Sequence, residues 1–177
     1  LLGASEYDKS NQIRKVFKVA IMRVSSATNE RTAIAALIPF FPAQHSVFTG
    51  VSSGGVVCNL FLTALLNSIV FDFVVRRRCA GINVTATVLD ESPIPRVETC
   101  ITTDAASFIR PIAFLNLAHI VYAQQWLQVF RTEGRAWKSF WAVTKSERLR
   151  LRSILDAVVA DLYDLDLDDF AWILREC

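Results

Sequence analysis

The sequence predicts an α+β fold, in which a small mixed or antiparallel β-sheet or partial barrel packs on a long buried helix and a C-terminal helical hairpin follows. Three observations predict it. Short runs of alternating or β-branched apolar residues fill the first fifty positions, an apolar segment runs from Val56 to Val75, and apolar residues repeat at helical spacing after Ser146. The 177 residues suffice for one core, read here as a β-rich unit over 1–96 and a helical segment over 97–177 that packs on it.

From Ile13 to Val24, Ile, Val and Phe mix with Arg and Lys at close to period two, the pattern of a strand with one buried face. Ser25 to Asn29 is a turn by composition. Arg31 to Ile38 reads as a second strand, because Thr32 and Ile34 are β-branched and Pro39 and Pro42 stop the run. A third short strand follows Pro42, and Gly54-Gly55 then releases the chain into a helix expected over 56–78.

That helix is about as long as a membrane span. Asn59, Thr63 and Asn67 recur every four residues, with Ser68 and Asp72 close by, and so share one side. Lipid does not tolerate such a stripe, and an Asp at a bilayer centre costs about 2.5 kcal/mol or more. The segment therefore predicts a helix inside a protein core, with its stripe against protein or water, and no membrane partner.

Arg76, Arg77 and Arg78 lie where cations favour the negative end of the helix dipole, and phosphate contact is the alternative role. Gly81 ends the helical pattern, and Ile82 to Leu89 alternates like a strand until Pro93 and Pro95. Val97 to Asp104 reads as a connection, with Asp104 as N-cap of a helix reaching about Arg131 and kinked near Pro111. Its aromatic face, with Phe114, Trp126 and Phe130, reads as core or partner surface. The chain closes with an amphipathic helix starting at Ser146-Glu147 and a short one over Asp168–Leu174.

Charge and motifs narrow the function classes. Net charge is +2, yet the first 149 residues carry 16 basic and 10 acidic groups against 3 and 7 in the remainder, which permits a polyanionic partner for the first part. The sequence holds no phosphate-binding GxxxxGK[ST], no GxGxxG, no GxSxG and no HExxH. Cysteines at 58, 79, 100 and 177 form no CxxC pair, and His45 and His119 are far apart, so no metal or disulfide framework is expected. Unpaired thiols and the lack of a signal-peptide pattern predict a cytoplasmic setting. The chain does not begin with Met, and a fragment of a longer protein is one expectation.

Three pieces carry a resemblance: Arg23 to Pro39 with His45 soon after, the run LLNSIVFDFVVRRRCAGINVTATVLDESPIP, and ERLRLRSILDAVVADLYDLDLDDFAWIL from Glu147 to Leu174. In this order they resemble the C-terminal target-recognition region of large adenine-specific DNA methyltransferases. That group takes in fused type IIG restriction-modification enzymes and the methylase subunits of the BREX and DISARM phage-defence systems. The helix, Gly, then strand ending in Pro-x-Pro is also similar to the recognition domains of type I specificity subunits.

The resemblance implies a module that holds double-stranded DNA for a catalytic domain, which uses S-adenosylmethionine through an Asn-Pro-Pro-aromatic motif that this chain lacks. This chain would then carry no cofactor and no catalytic residue of its own, with a methyltransferase catalytic domain or other defence-complex subunits as partners. Arg23, Thr28, Asn29, Arg31 and Thr32 match the family's Arg and Thr-acid-x-Arg-Thr segment, with Asn29 where an acid is usual. With His45, Arg76, Arg77, Arg78, Asn83 and Thr85 they make up the expected DNA-contacting set, by the pairing chemistry of Arg with guanine and Asn with adenine. For Arg31 and Thr32 a salt bridge and a turn hydrogen bond are the alternative roles. A structural or protein-interaction module of the same kind of complex is the competing function.

Overall fold

A computed structural model describes residues 17–52, 54–95, 105–130 and 140–177. Three antiparallel strands, β1 (Lys18–Met22), β2 (Ala35–Ile38) and β3 (Val47–Gly50), form a sheet in the order β2-β1-β3. Ala20 of β1 faces Ala36 and Thr49 on its two sides. Residues 13–16 of the expected first strand lie outside the described residues. The second strand is shorter than expected, because the amides of Thr32 and Ala33 both donate to the Asp72 carboxylate instead of to a neighbouring strand.

The expected long helix is two helices. Helix α1 (Gly55–Leu66) and helix α2 (Ile69–Arg78) meet at a 60° bend. Ser68 is extended there and its hydroxyl accepts from Phe71 N, so it caps α2, while Asp156 Oδ1 accepts the orphan Ile69 N at 2.7 Å. Among the described residues no single helix is long and apolar enough to cross a membrane, and the bent pair passes that test only together. The stripe lies against protein. Asn59 Nδ2 donates to Phe17 O and its Oδ1 accepts from Ser52 N, while Asn67 exchanges hydrogen bonds with both the N–H and C=O of Ala35.

The glycine pair before α1 is a steric device. Gly55 takes φ +78°, and a Cβ on Gly54 would collide with the Cys58 side chain.

The strand expected over Ile82–Leu89 is corrected. Only a short bridge forms, with Ser25 N donating to Ile82 O and Val84 N to Arg23 O, and Thr85 then caps helix α3 (Ala86–Asp90). The edges of β1 are already taken by β2 and β3, so this segment reaches only the chain beyond Met22.

Helix α4 (Ala105–Asn116) runs through Pro111 and stops before Leu117, so the break falls later than the expected kink. A 3₁₀ turn at Ile120–Tyr122, capped by His119, leads into α5 (Ala123–Val129). Asp104 lies outside the described residues. Thr144, two residues before the expected start, caps α6 (Lys145–Leu162), and Asp166 caps α7 (Leu167–Glu176). One hydrophobic core joins all layers: Leu37 from the sheet, Leu60 and Leu65 from α1, Phe108 and Ile112 from α4, and Val159 from α6.

Candidate nucleic-acid interface

The loop from Ser25 to Ala33 leaves β1, returns to β2 and lies over α2. Buried Asp72, on the side of α2 facing the loop, accepts from Thr32 N and Ala33 N at 2.6 Å each through Oδ1. Its Oδ2 pairs with Arg76 at 2.9 Å, one helical turn on. Arg76 also donates to Ala27 O at 2.6 Å and Glu30 O at 3.0 Å. A carboxylate and a guanidinium thus satisfy loop donors and loop acceptors together. Removing one partner of such a buried pair costs about 3–5 kcal/mol.

The remaining expected residues divide by where their polar groups go. Thr32 is fully buried and donates to Ser26 O, which is the alternative role given to it above. Thr28 and Asn29 are exposed at the loop tip, yet Thr28 Oγ1 bonds Ser26 Oγ and Asn29 Nδ2 donates to Ser25 Oγ. Arg31 pairs with Asp156 at 3.4 Å, also its alternative role. Arg77 packs over the rings of Phe73 and Trp172 and bonds Glu176, so it docks α7. Thr85 accepts from Val88 N as a helix cap.

Four expected residues, Arg23, His45, Arg78 and Asn83, lie at the surface or half-buried. Arg23 donates to the exposed His45 Nε2 at 2.8 Å, with its guanidinium 5.7 Å from the Phe48 ring centre. Arg78 is exposed and enters none of the ion pairs among the described residues. Asn83 is exposed and bridges Val24 through its backbone. Arg23 N bonds Ser46 O, and Cys79 Sγ lies 3.8 Å from Ser25 O and 3.6 Å from Asn83 O. Residues 23–25, 45–46 and 79–84 are therefore bonded to one another.

Sequence reasoning gave two acids no role at this site, Asp72 (named only beside the polar stripe) and Asp156. Asp72 was legible as the acid four residues before Arg76, whereas Asp156 bonds Arg31 across 125 positions and left no local signal. Burial pushes the Asp156 carboxyl above the usual carboxylate range, outweighing the Ile69 amide and the Arg31 and Arg152 charges that pull it down.

An apolar pocket of about 120 Å³ between β1, β3, α1 and α3 has Thr49 and Asp90 as its polar lining residues. No group of three or more His, Cys, Asp or Glu side chains among the described residues is placed to hold a metal ion.

Comparison with protein-family models, curated proteins and solved structures finds no match for the chain.

Proposed function

We propose that the chain is the DNA target-recognition module of an adenine-specific DNA methyltransferase of a restriction-modification or phage-defence system. It would act in the cytoplasm and position duplex DNA for a catalytic domain that binds S-adenosylmethionine. One observation supports this above others. The three sequence pieces that carry the resemblance bond one another: Arg31 of the first to Asp156 of the third, Asp72 and Arg76 of the second to the first, and Ile69 of the second to Asp156.

In this reading Arg23 and Arg78 contact phosphates, while His45 and Asn83 contact backbone or base edges beside them. Arg31, Thr32 and Arg76 hold the loop and make no phosphate contact. Titration of the full chain with duplex DNA should show affinity that falls linearly on a log–log salt plot, by about 0.9 in slope per phosphate contact. Arg23→Ala and Arg78→Ala should each lower that slope by about one contact and leave the melting temperature unchanged. Salt-independent or absent binding by a folded sample overturns the proposal.

Exposed apolar side chains favour a second reading, a module that contacts protein. Leu167, Trp172 and Leu174 of α7 and Leu149 of α6 are all about half exposed or more. It stands if the folded chain ignores DNA and binds a methyltransferase catalytic domain in its place.

A further inference from the structure

We propose that Asp72 and Arg76 are positioning residues that preform the Ser25–Ala33 loop, so that it meets duplex DNA as a rigid element and needs no ordering step. This rests on the DNA-reading function proposed above, but its observations are independent of that function.

The polar accounting of the loop carries the inference. Going in, Ser25 N is held by Ile82 O, and coming out, the amides of Thr32 and Ala33 are held by Asp72. Between them Arg76 takes the carbonyls of Ala27 and Glu30. The Ser26 carbonyl accepts from both Asn29 N and the Thr32 hydroxyl. Ser26 Oγ with Thr28 Oγ1, and Asn29 Nδ2 with Ser25 Oγ, tie the tip to its own base. A nine-residue surface loop normally leaves much of its backbone to water. Here four of the bonds that tie the loop to the rest of the chain come from two side chains of one helical turn.

Asp72 is placed for this and for little else. It is fully buried and all its described partners are loop amides or Arg76. A binding surface ordered in advance loses less conformational entropy on association, so loosening the clamp weakens binding without removing any contact to the ligand. The tip residues Thr28, Asn29 and Glu30 are exposed, as is Arg78.

The test compares amide hydrogen exchange with DNA affinity in the full chain, using wild type, Asp72→Asn and Arg76→Lys. In free wild type the Thr32 and Ala33 amides should exchange slowly, and added duplex DNA should not slow them further. Either variant should speed their exchange at least tenfold while the α1 amides keep their protection. DNA affinity should fall several-fold with the salt slope unchanged, and the faster Thr32 and Ala33 exchange in DNA-free Arg76→Lys is what a merely phosphate-contacting Arg76 would not produce. Should Asp72→Asn fail to protect α1, Arg76→Lys alone carries the comparison, because it keeps the charge.

Fast loop exchange in free wild type, or protection that appears only with DNA, overturns the proposal. Unchanged loop exchange in both variants does so too, as does a loosened loop with unaltered affinity. If wild type shows no salt-dependent DNA affinity while loop protection still depends on Asp72 and Arg76, the DNA-reading function fails. The clamp then stands as a fold element only, and its role in binding falls with that function.

Discussion

Asp156 on α6 receives the Ile69 amide through one oxygen and the Arg31 guanidinium through the other. Burial is the strongest influence on its carboxyl and raises its pKa. A folded-state pKa above the unfolded value of about 3.9 means that the folded protein holds this proton more tightly. Stability from this group therefore falls as pH rises through the window above about 4, and is recovered on acidification. Asp156→Asn keeps an acceptor for Ile69 N and has no such slope. The unfolding free energy of wild type, relative to that variant, should decrease from about pH 4 to neutrality in urea titrations; an increase would mean that Arg31, not burial, dominates. At this scale the sequence disclosed residue types more readily than their duties. Arg76 read as a helix-end cation or a phosphate contact; it does lie in the last turn of α2, and its fork also closes on two loop carbonyls. Thr85 read as an outward strand residue, and it caps a helix.

At the scale of elements, the outer edge of β2 shows why the apolar segment breaks where it does. Ala35 and Leu37 point their backbone groups away from β1. Asn67 supplies both partners to Ala35, while Asn116 accepts from Leu37 N and the Tyr122 hydroxyl donates to Leu37 O. Side chains thus finish a sheet edge that would otherwise invite another strand. To reach Ala35, Asn67 must sit at the end of α1, and Ser68 restarts the helix in a new direction. Asn67→Ala removes that partner and leaves the Ala35 N–H and C=O unpaired, which should cost about 2–3 kcal/mol. A urea midpoint within error of wild type would refute this. The polar stripe and the N-cap Ser were visible as residues. The 60° turn between them was not, because a continuous apolar run reads the same whether straight or bent. The alternation in Ile82–Leu89 failed for a related reason: a strand needs a free edge, and periodicity does not say whether one is available.

For the whole molecule, α1 lies between the sheet and the helices α4 to α6, with the rings of Phe61 and Phe108 4.8 Å apart. Phe114, Trp126 and Phe130, which the sequence led us to expect as an aromatic face, form a second aromatic group that Phe140 joins from outside that face. Helix α7 is attached differently. It rests chiefly on α2, through the Phe73–Trp172 edge contact and Arg77 with Glu176, and Ile173 is its one buried residue. Native-state hydrogen exchange should therefore show α7 amides opening by local unfolding, well below the free energy that protects α1. Equal protection of the two helices would show that α7 belongs to the main cooperative unit. The proposed partners bear on the same point, since a helix with Leu167 and Leu174 exposed is the one a neighbouring domain could cover.

The α+β class, the three strands, the buried setting of the apolar segment and the closing helix pair followed from local chain chemistry. Side-chain period, caps and chain breakers act over a few residues and can be read along the sequence. Which charges become tools of the fold was settled only in three dimensions. Asp72 meets Ala33 across 39 positions and Asp156 meets Arg31 across 125, and a guanidinium or carboxylate carries no local mark of its distant partner. The folded chain consumes Arg31, Thr32 and Arg76 in holding one loop and leaves Arg23, His45, Arg78 and Asn83 at the surface or half-buried. That division rests on packing, because only burial decides which polar groups must be paired inside and which stay at the surface.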